Sequence, residues 1–137
     1  MRLPYPHRVE GFTREPHYFM RLADYFIGKP GPGSLSEAWI MGLPAIVECN
    51  AWTMVQERYN TELVAQQGLG VVLRSFRDIA QGIAPMLDPG HLADYRARVG
   101  ALNNRAVFEI PEIVDGLIDA GRRYPARERS LPAHAAD

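Results

Sequence analysis

Two short stretches hold the residue types that could do chemistry. The first is GKPGPGSLSEA, residues 28–38. Gly31 and Gly33 carry no Cβ, so backbone N–H groups there can approach an anion closely. A helical pattern starts at Ser34. The first N–H groups of a helix have no internal partner, and its dipole puts about half a positive charge at that end. The chain's net charge is −1, yet such a loop could hold two phosphates without an arginine cluster. Pro30 and Pro32 stiffen the loop and add no donors. Two better-known anion loops are excluded. Lys29 is followed by proline where a Walker loop needs Ser or Thr, and position 36 is serine where a dinucleotide fingerprint needs glycine.

Glu37 admits two roles. Ser34-x-x-Glu37 is a capping box, in which the two side chains satisfy each other's helix-start donors. A first-turn carboxylate at a nucleotide-binding edge also suits ribose hydroxyls, from which it can accept in pairs. Spacing does not choose between them. The second stretch is VQERYN, with Gln56, Glu57 and Asn60 at the start of the next helix. Two amides and a carboxylate there could read sugar hydroxyls. Taken alone, they are also ordinary surface residues of a helix start.

These groups need a scaffold, and hydrophobic periodicity supplies one. HRVEGF (7–12) is expected as a short strand, EPHYFMRLA as a two-turn helix, and DYFIG as a buried strand ending in Gly28. A helix is expected from Ser34 to Met41 with Gly42 behind it. LPAIVEC reads as a strand, MVQERYNTELVAQQG as an amphipathic helix, and LGVVLR as another strand. FRDIAQGIAPML and HLADYRARVGAL read as helices split at Asp88-Pro89-Gly90. PEIVDGLIDAGRR is expected to start a last helix at Pro111. Strands separated by single helices predict an α/β fold, a Rossmann-like parallel sheet with helices on both faces.

The chain has 137 residues, 47% hydrophobic and 23% charged, an ordinary one-domain composition. The domain is expected over 1–123, followed by a disordered tail over 124–137 of Pro, Ala and charge. The charge balance gives no field for nucleic acid. No run reaches the roughly 20 apolar residues of a membrane span. Cys49 is the only cysteine, which excludes an internal disulfide and makes a reducing cytoplasm the simplest location. His7, His17, His91 and His134 lie in different segments, without metal-ligand spacing. His17 could line a base pocket, but a surface position is the simpler reading. Cys49 reads as a small buried hydrophobe rather than a nucleophile. Trp52 could stack on a ligand or cover the sheet edge, and packing is the simpler reading. Arg122, Arg123, Arg127 and Arg129 read as a solvated tail, which leaves peripheral membrane contact open.

Taken together, the clusters resemble a known family. Gly11-Phe12-Thr13, Ala23-Asp24, KPGPGSLSEAWIMGLPAIV, Gln56-Glu57-x-x-Asn60 and Gly68-Leu69-Gly70 occur in one order with natural spacings. They are similar to the C-terminal, donor-binding domain of GT-B glycosyltransferases of the family 28 type. That group contains peptidoglycan lipid II synthase and the monogalactosyldiacylglycerol synthases. The resemblance implies that the loop at Phe12 and Thr13 holds uracil, and that Gly31, Pro32, Gly33 and Ser34 cradle a diphosphate. It further implies that Glu37 binds ribose and that Gln56, Glu57 and Asn60 contact the donor sugar. Glu57, where a second glutamine would favour an N-acetylhexosamine, leans toward a hexose.

The implied function is UDP-sugar binding for a hexosyltransferase, with no cofactor, no metal and no catalytic residue in this chain. The resemblance leaves the acceptor open, with a lipid suggested by the relatives, and implies that a separate acceptor domain or subunit holds it. The first two β–α units of the family's domain have no counterpart here, so the sheet is expected to be incomplete and the chain inactive by itself. An exposed sheet edge is expected to drive homo-oligomer formation or pairing with that partner. The other reading is a non-catalytic or truncated remnant. An epimerase shares the fold, but nothing here supplies its paired acid and base.

Overall fold

A computed structural model of the chain describes residues 6–123; the tail expected over 124–137 lies outside them. The chain divides between Leu102 and Asn103 into two compact units. The first holds α1 (Pro16–Arg21), β1 (Phe26–Gly28), α2 (Pro32–Ile40), β2 (Ala45–Glu48), α3 (Val55–Gln67), β3 (Gly70–Leu73), a 3₁₀ turn (Phe76–Asp78), α4 (Ile79–Leu87) and α5 (Pro89–Gly100). The second holds α6 (Ala106–Arg123).

The strands lie in the order β1-β2-β3, all parallel. Phe26 stands opposite Ala45, and Ala45 opposite Gly70. Alternation along β2 then sorts the core. Ala45 and Val47 face one way and pack with Leu35 of α2 and Val64 of α3. Ile46 faces the other way and packs with Leu73, Met86 of α4, and Leu92 and Tyr95 of α5. Leu35, Ile46, Val47 and Val64 are fully buried, each stabilising the fold by about 1.5–3 kcal/mol. The result is a three-layer, Rossmann-like α/β unit with an incomplete sheet.

Several elements differ from the sequence reading. Helix α5 starts at Pro89, inside the break expected at Asp88-Pro89-Gly90, because Asp88 caps it and proline suits the first position. Residues 7–12 form no strand; Val9 and Phe12 are 89% and 95% exposed. A strand needs a neighbour to pair with, and this segment instead pairs Arg8 with Glu10 at 2.7 Å and lays Arg8 over the Phe19 ring. Helix α2 starts at Pro32 rather than Ser34. Proline is at its best at the first helical position, where its missing N–H costs nothing. Helix α6 starts at Ala106, whose N–H bonds to Asn104 Oδ1 at 3.2 Å. Pro111 therefore sits in the second turn, where it removes one internal bond.

One glycine is demanded by close approach. Gly70 has φ +150°, and a Cβ there would collide with the Ala45 backbone. The bare Cα lets the turn after α3 lead straight into β3, with its first residue tight against β2. Among the described residues no helix is long and apolar enough to cross a membrane.

Candidate functional site

β1 and β2 are parallel neighbours, so the loops at their carboxyl ends emerge side by side. Between them lies a cavity of about 370 Å³, lined by Lys29, Pro30, Glu48, Asn50, Trp52, Thr53, Met54 and Glu57. Both walls are held in place. Asn60 of α3 donates from Nδ2 to the Pro30 carbonyl at 2.8 Å. The second loop is closed on itself: Asn50 N donates to Thr53 Oγ1 at 2.9 Å, and Trp52 N donates to Asn50 Oδ1 at 2.8 Å. Thr53 N also donates to Asn50 O at 3.1 Å. This fold of the loop leaves Trp52 92% exposed. The expectation that Trp52 packs over the sheet is thereby corrected, because its backbone bonds turn the ring away from the core.

The ionisable groups of the cavity are one ammonium and two carboxylates. Glu48 Oε1 accepts the Phe76 N–H at 2.9 Å, which ties the end of β2 to the turn after β3. The side chains of Lys29 and Glu57 engage no charged or hydrogen-bonding partner among the described residues. Glu57 also reaches the first loop, since a Cβ added at Gly31 would meet its Oε1 at 3.9 Å.

The N-terminus of α2 stands next to this cavity along the chain. Gly31 is its N-cap, and no side chain caps it. Pro32 has no N–H to offer, while Gly33 and Ser34 are exposed. Their N–H groups fall in the first turn, where no intrahelical acceptor exists. Ser34 lies at the third helical position and Glu37 beyond the first turn. The capping box is therefore not formed, which removes one of the two roles open to Glu37. The Glu37 carboxylate is exposed and makes no hydrogen bond or ion pair among the described residues.

Of the residues expected from the sequence to bind the donor, Glu57 alone lines the cavity. Gly31, Pro32, Gly33 and Ser34 form the open helix start outside it, with Glu37 in the following turn. Asn60 contributes through Pro30. Gln56 is exposed and turns its amide to Met54 Sδ at 3.3 Å. Phe12 is exposed, and Thr13 Oγ1 accepts from Glu15 N at 3.1 Å within its own loop. Lys29, Glu48 and Asn50 were missed. The signal for them was available, since each sits at or just past the carboxyl end of a predicted strand. His17 is exposed and Cys49 half-buried. Among the described residues no group of three or more His, Cys, Asp or Glu comes together.

Comparison with known proteins gives one consistent group of relatives. Monogalactosyldiacylglycerol synthase 3, chloroplastic, of Arabidopsis thaliana is 32% identical over 123 residues, 88% of this chain and 26% of that protein. The synthase of Spinacia oleracea is 36% identical over 116 residues, 82% of this chain and 22% of that protein. Synthase 1 of Arabidopsis thaliana is 34% identical over 127 residues, 93% of this chain and 23% of that protein. The chain thus spans about a quarter of the length of the curated relatives it matches. No family profile matches it, and no solved structure does. These relatives are chloroplastic by name, which overturns the expected cytoplasmic location. A lone cysteine is compatible with any reducing compartment, so it could not identify one.

Proposed function

From the premise that this chain belongs with the monogalactosyldiacylglycerol synthases, among GT-B glycosyltransferases of family 28, we propose that it is the donor-binding part of a hexosyltransferase using a UDP-hexose. The observation that carries this is the uncapped start of α2 beside a cavity at the carboxyl ends of β1 and β2. In parallel α/β sheets, ligands sit beyond those strand ends. The N–H groups of Gly33 and Ser34, with the dipole of α2, take the diphosphate. The unpaired Glu37 carboxylate takes the ribose hydroxyls, and by resemblance the backbone near Phe12 and Thr13 takes uracil. The relatives' names carry a galactosyl group, so galactose is the hexose to test.

The chemistry assigned to this chain is leaving-group stabilisation. As the bond from the anomeric carbon to the diphosphate oxygen breaks, charge accumulates on that oxygen. Donors fixed before the reaction stabilise it without reorganising. The acceptor hydroxyl forms the new bond and gives its proton to a base in a separate acceptor domain or subunit.

Calorimetry with UDP on the 137-residue chain tests the reading. Binding in the micromolar to millimolar range, lost in Glu37→Ala, is the expected result. No heat with millimolar UDP would sink it. A second reading, a non-catalytic subunit that pairs through its sheet, is favoured by one observation: among the described residues β1 bonds to β2 alone. It predicts a complex with an acceptor subunit and no response to UDP.

A further inference from the structure

We propose that α6 pairs antiparallel with α6 of a second copy of this chain, in a register that sets Ile110 against Gly121, Ile113 against Ile118 and Val114 against Leu117. The inference concerns a different part of the chain from the donor site and does not depend on that reading.

The helix needs a cover. Among the described residues the second compact unit holds α6 alone. A single helix is marginal in water, and packing of an amphipathic face supplies most helical stability in proteins. Ile110, Ile113, Val114, Leu117 and Ile118 follow one another at i, i+3, i+4, i+7 and i+8, so they line one side of the helix. All five are 45–67% exposed.

Charge narrows the occupant. Glu112, Asp115 and Asp119 fall on the side opposite the stripe, and Glu109 falls beside it. An anionic lipid surface repels a helix whose body is acidic, and interfacial helices border their apolar face with cations instead. A charged protein surface finds nothing in the stripe to pair with. A second α6 meets an apolar stripe of its own width, while the acids of both copies stay on the far sides in water.

Shape chooses the orientation and the register. Gly121 continues the stripe one turn past Leu117 and Ile118, and a Cβ built there meets nothing within 4 Å. That end of the stripe is hollow, and the Ile110 end is bulky. Parallel copies would set hollow against hollow, lose the contacts there and align their dipoles. Antiparallel copies seat Ile110 in the space at Gly121 twice, once at each end, with the dipoles opposed. Fixing that pair fixes the others: Ile113 meets Ile118, and Val114 meets Leu117.

The test uses the full 137-residue chain and compensating charges. Ile113→Lys and Ile118→Glu, each alone, should weaken self-association roughly tenfold or more, read by light scattering over a dilution series. Mixed in equal amounts they should regain a dimer, because this register sets the new ammonium of one chain against the new carboxylate of the other. Ile113→Lys mixed with Ile110→Glu should not. Orientation is read separately, by a spin label on Ala106→Cys in a Cys49→Ser background. The two labels should lie roughly 28 Å apart along the axis, from a rise of 1.5 Å per residue. A wild-type monomer at tens of micromolar would overturn the proposal. So would a dimer indifferent to the α6 substitutions, a failure of the first mixture to associate, rescue by the second, or labels at about one interhelix distance, ~10 Å. Loss of cooperative thermal unfolding in either single variant would show that the stripe packs within its own chain, and would overturn it too.

Discussion

The Asn60 amide decides where the loop after β1 lies. Its Nδ2 reaches 30 residues back to the Pro30 carbonyl, in a loop whose prolines supply no N–H of their own. Asn60→Ala should lower stability by about 1 kcal/mol, the usual worth of such a bond, and also weaken UDP. Asn60→Asp should be worse, since it sets a carboxylate against a carbonyl oxygen. Thermal unfolding and calorimetry of the two variants read both effects, and an Asp variant as stable as wild type would rule out the clamp. Asn60 was read from sequence as a sugar ligand, because spacing shows that an amide is near a helix start and not where it points. Glu57 was legible because position alone placed it. Trp52 was not, because hydrophobicity argues for burial and only the Asn50–Thr53 bonds, invisible to periodicity, keep it out.

At the scale of elements, the three strands of the sheet were legible because their apolar runs are bounded by glycines and loops, and α3 because Gly68 ends it, whereas the run at 7–12 reads as a strand and forms none. Helix starts were harder. Pro32 and Asn104 set two of them through local geometry that competes with the more familiar Ser34 and Pro111 signals. Gly70 is where substitution should do most damage. Alanine there must adopt a backbone conformation side chains avoid and would strike the Ala45 backbone. Gly70→Ala should cost at least ~2 kcal/mol, measured by denaturant titration; a variant near wild-type stability would contradict the contact.

Helix α5 offers a pH test. Asp88 caps it by accepting the His91 N–H at 2.9 Å, and this bond, assisted by the His91 charge, holds the carboxyl below its ordinary value. A depressed folded-state pKa means the stabilisation is complete above the unfolded value, about 3.9, and fades as pH falls through the folded one. Asp88→Ala should therefore lower the melting temperature at neutral pH, and its gap to wild type should close in acid. Asp88→Asn keeps the cap, so its melting temperature at neutral pH should exceed that of Asp88→Ala.

For the whole molecule, composition and rhythm were enough to predict one α/β layer system, but not its edges. Among the described residues β1 pairs only with β2, so there the outer N–H and C=O groups of Phe26–Gly28 have no strand beside them, and Ile27 is 42% exposed. Such an edge recruits another strand unless charge, proline or a bulge blunts it, and here Lys29 and Pro30 lie just past its end. Helix α6, considered alone, exposes Ile110, Ile113, Val114, Leu117 and Ile118 at helical spacing, an apolar stripe of the kind that marks interaction surfaces. In an enzyme about four times this length, or one made of two chains, other segments would cover both. The chain by itself should cover them with a second copy. Light scattering at tens of micromolar should then give a mass above 15.4 kDa, and Ile27→Lys and Leu117→Lys should each shift it downward by placing an ammonium in a contact. A monomer with cooperative unfolding at that concentration would show that the edge and the stripe are tolerated in water, and the case for an obligatory partner would lose its physical basis.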